Sequence, residues 1–235
     1  MRIFSFARFL FTVVMVVGIV GIALQAQAQD APHSQTLFTN VNIFDGKNDR
    51  LVTGMNVLIE GNLIKQVGAN LKAPDGASII DGGGRTLMPG LIEGHGHLQL
   101  NGTSLADIEN NRNLEELAVR SVAKAEMALT SGFTTWRDAG GMGAGLRKSI
   151  DAGLVIGPRI YPSGAFLGPT GSHADFRNFT TPNETVYGSN SSGSRNGLTF
   201  TADGVDMIKT GARQNFMQGA TQNKNMSECG WGVGK

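Results

Sequence analysis

The rhythm of the chain changes at Pro89, and that change limits what it can fold into. Upstream lie short strand-like runs, Thr36 to Ile43, Asn56 to Glu60, Leu63 to Val67 and Ser78 to Asp81. Gly, Asn and Asp punctuate them, which predicts a small hairpin-rich, β-sandwich-type domain over residues 29–88. Downstream the pattern becomes strand, loop, helix. Leu114 to Leu129 predicts an amphipathic helix with Leu114, Leu117, Ala118, Val122, Ala125 and Leu129 along one face. A strand follows at Phe133 to Asp138, a helix at Ala144 to Ala152 and a strand at Arg159 to Pro162. Alternation of this kind makes a parallel α/β sheet, so residues 89–235 read as an incomplete (β/α)8 TIM-like barrel, about the first four strands. Gly164 to Thr199 reads as one long Gly-, Ser- and Asn-rich loop, either an active-site cover or a segment without fixed structure. Ala202 to Phe216 predicts a further helix with Val205, Ile208, Ala212 and Phe216 on its apolar face.

In such barrels the chemistry sits at the C-terminal ends of the strands. His95 and His97 stand at the end of the apolar run that begins at Thr86 and are separated by one glycine. On a strand, a period of two puts both imidazoles on one face, where neutral rings can hold a divalent metal. Gly94 and Gly96 leave room for close backbone approach. Asp138 also falls at a strand end and is suited to orienting the site through hydrogen bonds. His173 lies in the loop after Pro162, either as an ordinary loop histidine or as a group that reaches substrate or metal.

The first 28 residues read as an export leader. Arg2 and Arg8 supply a positive start, Phe9 to Leu24 an apolar stretch, and Ala26-Gln-Ala28 a small-x-small cleavage site. An uncleaved anchor is the alternative, since the apolar run is nearly long enough to span a bilayer. Cleavage near Ala28 leaves no stable membrane anchor and a periplasmic or secreted mature chain. The sole cysteine, Cys229, has no partner for an internal disulfide. A net charge of +1 and the lack of a basic cluster give no electrostatic case for nucleic acid.

Taken together, Met88-Pro-Gly-Leu-Ile-Glu-Gly-His-Gly-His97, Gly132-Phe-Thr-Thr-Trp-Arg-Asp138, Gly157-Pro-Arg-Ile-Tyr-Pro-Ser-Gly164 and Thr170-Gly-Ser-His-Ala-Asp-Phe176 resemble the metal-dependent amidohydrolase superfamily. The branch they look most like is the imidazolonepropionase-like and Xaa-Pro dipeptidase (prolidase-like) one. The resemblance runs from about Leu37 to Thr221. It implies hydrolysis of a carbon–nitrogen bond in a small-molecule cyclic amide or a dipeptide with C-terminal proline. It also implies a divalent metal, with zinc the first choice, as one or two ions in a complete homologue.

Members of the family carry a carbamylated lysine on the fourth barrel strand. Lys209 superficially fits, but it lies within the predicted helix; Lys224 fits better, after the helix end and turn. Lys224 is flanked by Asn223 and Asn225, where the family has apolar β-branched residues, so a solvated surface lysine is an equal reading. The family's remaining ligands are two later histidines and a final strand-end aspartate. This sequence has four histidines, His33, His95, His97 and His173, and none follows His173. Three readings stand: the N-terminal part of an amidohydrolase, inactive as it is; a short enzyme that completes its site in a homo-oligomer; and a non-catalytic remnant that binds one metal.

Overall fold

The computed structural model describes residues 34–226 other than 101, 103, 105, 106, 109, 110, 142, 143, 179 and 183–190. The leader, His33 and Cys229 lie outside the described residues. No helix among the described residues is long and apolar enough to cross a membrane. The chain divides into two compact units between Pro89 and Gly90.

The first unit is one five-stranded mixed sheet, with no second sheet layer among its described residues. Strand β1 (Gln35–Ile43) sits in the middle. It pairs antiparallel with β2 (Val52–Glu60), which pairs in turn with β3 (Leu63–Gly68). On its other edge β1 changes partner along its length. Thr36 to Thr39 run parallel to β4 (Ser78–Asp81), and Asn42 and Ile43 run parallel to β5 (Thr86–Leu87). The change falls at Asn40, whose φ of 51° marks a bulge. Gly82 closes onto that bulge, its N–H donating to the Thr39 carbonyl at 2.8 Å. A Cβ at position 82 would stand 2.4 Å from Val41 Cγ1. Leu37, Val41, Val57 and Leu58 form the buried core of this unit.

The second unit holds two three-stranded parallel sheets and no closed barrel among the described residues. The first sheet has the order β6 (Leu91–Gly96), β7 (Phe133–Asp138), β8 (Arg159–Tyr161). Helix α1 (Leu114–Thr130) connects β6 to β7, and α2 (Gly145–Asp151) connects β7 to β8. Asn113 starts α1 by accepting the Glu116 N–H at 2.9 Å. The buried stripe of α1 is Leu117, Ser121, Ala125 and Ala128, whereas Leu114 and Val122 are exposed. The predicted face is therefore rotated: small side chains let the helix settle against Trp136 and Ile160, beside Leu98.

The second sheet has the order β10 (Thr199–Thr201), β9 (Phe166–Gly168), β11 (Lys224–Asn225). The segment expected as a long loop thus carries the central strand of this sheet and a short helix, α3 (Ser192–Arg195). Leu100, Ile108 and Leu117 pack on Phe166, Phe176 and Leu198 to hold it. Helix α4 (Val205–Met217) turns Gly211 and Asn215 inward and leaves Val205 and Phe216 exposed, again unlike the predicted face. Gly211 is needed there, because a Cβ would lie 2.7 Å from Phe200 and 2.8 Å from Leu167. Asn215 acts as a surrogate strand edge. Its Oδ1 accepts the Ala165 N–H at 2.9 Å, and its Nδ2 donates to the Ala165 carbonyl at 3.0 Å and to Asn223 Oδ1 at 3.2 Å.

Candidate metal centre

The β6–β7 ladder shifts register after Leu91 and again after Glu93, where it skips to Gly96 opposite Asp138. In the gap the His95 N–H donates to its own strand's Glu93 carboxylate at 2.8 Å. The released backbone lies against Trp136: a Cβ on Gly96 would be 2.1 Å from the indole Cζ2. Glycine lets His95 and His97 flank an aromatic plane at contact distance. Their rings come together edge to face, with centroids 5.5 Å apart.

His97 is the better fixed of the two. Its Nδ1 lies 3.2 Å from the Gly140 carbonyl, and a carbonyl accepts only, so the proton of this bond sits on Nδ1. That tautomer leaves the Nε2 lone pair for a metal. Phe166 packs on the ring at 5.6 Å, and Phe176 supports Phe166 at 5.4 Å. Burial lowers the imidazole's pKa from its ordinary value. The Gly140 bond works the other way, and the neighbouring His95, Lys224 and His173 charges add to the lowering. A ring kept neutral in this way is the form that ligates.

That electrostatic neighbourhood also locates the other candidates. Lys224 lies half-buried on β11, opposite Phe166 in register. Lys209 is exposed on α4, 3.5 Å from Asp206. Asn223, an unexpected polar neighbour for Lys224, accepts the Asn215 amide described above. His173 is exposed in the loop after β9. Asp138 is fully buried. Its Oδ2 accepts from Ser163 Oγ at 2.9 Å, the Gly140 N–H at 3.2 Å and the Ser163 N–H at 3.4 Å, which joins the end of β7 to the segment after β8. No three His, Cys, Asp or Glu side chains converge among the described residues. The donors present thus fit a divalent metal as a two-histidine partial set, with the Lys224 charge felt at His97. Gly140, Phe166 and Ser163 were not singled out from sequence. The Gly140-Gly141 pair, two residues after Asp138, is a sequence signal of close backbone approach there.

The His173 loop is held by two carboxylates, its own Asp175 and Asp203 from the segment after β10. Asp175 accepts the Gly171 N–H at 2.8 Å and pairs with Arg177, both side chains being largely buried. Asp203 accepts from Thr170 N and Oγ1. Burial raises the Asp175 pKa, but the Arg177 and Gly171 hydrogen bonds outweigh it, so the net shift is below the ordinary 3.8. A carboxylate depressed on folding stabilises the fold above its unfolded pKa and loses that contribution as pH falls through the folded value. Asp175→Asn should therefore lower the urea midpoint at neutral pH. The gap from wild type should close as pH drops below 3.8. A gap of constant size from pH 7 down would contradict this assignment.

No family model matches the chain. Ochratoxinase of Aspergillus niger is 35% identical over 111 residues, covering 44% of this chain and 22% of that one. Among solved structures, an amidohydrolase is 34% identical with a TM-score of 0.71, covering 82% of this chain and 46% of the other. A prolidase complexed with N-methylphosphonate-L-proline is 32% identical with a TM-score of 0.72, again covering 82% and 46%. The chain spans about half the length of these solved relatives. The fold, the motif order and these likenesses agree, and the chain belongs to the amidohydrolase superfamily.

Proposed function

We propose that these 235 residues carry the first half of a (β/α)8-barrel site for metal-dependent hydrolysis of carbon–nitrogen bonds other than ordinary peptide bonds. The substrate class is a cyclic amide or a dipeptide ending in proline; the solved prolidase with its phosphonate-proline ligand supports the second of these. The observation that carries the reading is His97. It is a half-buried imidazole whose Nδ1 is engaged by the Gly140 carbonyl, with His95 alongside and Lys224 in electrostatic reach.

A zinc ion, when bound, polarises the scissile carbonyl and activates water. The chain's own part is to present the His95 and His97 ring nitrogens as ligands, with Lys224 as the third group once its amine has added carbon dioxide and released a proton to form a carbamate. Gly140 and Phe166 fix the His97 ring. Asp138 holds the strand ends in place through Ser163, and His173 faces the substrate from its loop. The leader directs the protein to the periplasm or out of the cell.

The test is equilibrium dialysis of the chain against Zn²⁺. Wild type is expected to bind, and His95→Ala with His97→Ala should weaken binding on the order of 100-fold or more. Retention of wild-type affinity in the double variant would refute the reading. No turnover of Xaa-Pro dipeptides is expected from the 235 residues alone, since the later histidine pair and the final aspartate of the family are not among them.

A further inference from the structure

His95 and His97 belong to the first sheet of the second unit and Lys224 to the second sheet, and no ladder joins the two sheets. Two side chains do join them. Gln222, two residues before Lys224, donates its Nε2 to the Asp138 carbonyl at 2.9 Å and to the Tyr161 carbonyl at 3.2 Å, at the ends of β7 and β8. Its Oε1 accepts Arg137 Nε at 2.7 Å. Arg137 Nη1 then donates to the Gly94 carbonyl at 3.0 Å, within the gap in the β6–β7 ladder and next to His95. The Thr221 N–H adds a bond to the Pro162 carbonyl at 2.8 Å.

We propose that Arg137 and Gln222 form one positioning clamp that sets Lys224 relative to His95 and His97. The proposal rests on the metal-binding reading above for its purpose, though not for its geometry. The chemistry of the pair is specific. A primary amide has two N–H donors and one carbonyl acceptor, and all three are used on three different partners. A carboxylate of the same size keeps the arginine but has nothing to offer the two strand-end carbonyls. The guanidinium is a planar fork, so it can bond the Gln222 oxygen and the Gly94 carbonyl at once, as a lysine ammonium on a flexible stem does less well. Without the clamp, the Gly94 carbonyl loses the donor that replaces its missing ladder bond. The strand carrying Lys224 then keeps the Thr221 bond and its ladder to β9, but loses the side-chain link that runs from Gln222 to Gly94.

The experiment compares wild type with Gln222→Leu, Gln222→Glu and Arg137→Met in the full chain, using two readouts. The first, without metal, is amide hydrogen exchange at His95 and Lys224. Each variant is expected to speed exchange at both sites, although the two positions are on different sheets. The second is the visible absorption of the chain titrated with Co²⁺. The clamp variants should bind about 10- to 100-fold more weakly, with a shifted ligand-field band. The Arg137→Met, Gln222→Leu double variant should be no worse than Gln222→Leu alone, because Arg137 acts on the Lys224 strand through Gln222. Gln222→Glu keeps the side-chain size and serves if the leucine variant does not fold.

Unchanged exchange at both sites, or a wild-type cobalt spectrum in every variant of a chain that binds cobalt, overturns the clamp and leaves the metal reading standing. A wild type that takes up no cobalt, together with coupled exchange at His95 and Lys224, overturns the metal reading and leaves the clamp standing.

Discussion

Gly96→Ala is expected to lower stability by about 1–3 kcal/mol and to reduce metal affinity as severely as loss of one histidine. The added methyl would sit 2.1 Å from Cζ2 and 2.4 Å from Cε2 of Trp136, far inside van der Waals contact. Trp136 has little freedom to yield. It is almost fully buried, packed with Leu98, Ala125, Ala128 and Ile160, and edge to face with Phe133. The strand must move instead, and it carries a candidate ligand on each side of position 96. Metal constellations tolerate displacements of only about half an ångström, so a shift that relieves the clash also separates the imidazoles. Gly94→Ala is the control, because a Cβ there meets nothing within 4 Å. Calorimetric melting and Zn²⁺ titration of the two variants decide the matter. Equal behaviour of Gly94→Ala and Gly96→Ala would remove the steric explanation.

Asp138→Ala should destabilise the second unit by about 3 kcal/mol. The carboxylate is fully buried and serves three donors, the Ser163 hydroxyl and the backbone N–H groups of Gly140 and Ser163. Truncation leaves those donors facing a void, and a desolvated donor without a partner costs more than its hydrogen bond gained. The Gly140 carbonyl that orients His97 belongs to the same turn, so metal affinity should fall with stability. Asp138→Asn keeps an acceptor for Ser163 and should lose less than half as much. A urea titration that finds alanine and asparagine equally mild would mean that the carboxylate is not what holds the turn.

Legibility from sequence followed the range of the interactions. The β1, β4 and β7 segments and the paired histidines could be read because their signals are local, as alternation or as two like residues one apart. Phe166–Gly168 could not, since three residues bounded by glycine-rich sequence carry no period. The faces of α1 and α4 were misread for a common reason. Hydrophobic periodicity equates bulk with burial, whereas these helices approach their sheets through Ala125, Ala128 and Gly211, with Asn215 hydrogen-bonded in place. The polar flanks of Lys224 weighed against a buried strand until the Asn215 to Asn223 bond gave one of them a partner. Gly140, Ser163 and Gln222 act through contacts far apart in the chain and leave no spacing to find.

The divided partnership of β1 has a bearing on how the first unit comes into being. Its earliest strand is also its central one, and the parallel neighbours β4 and β5 are the last to leave the ribosome. A hairpin of β1 with β2 can close at once, but the other edge of β1 must stay open until the chain has returned past β3. Assembly on that side is a non-local step with its loop-closure entropy set against it, and such steps are slow. Until it is taken, the exposed edge is open to pairing with another nascent chain. Export before folding, or a holding chaperone, would suit a unit built in this order.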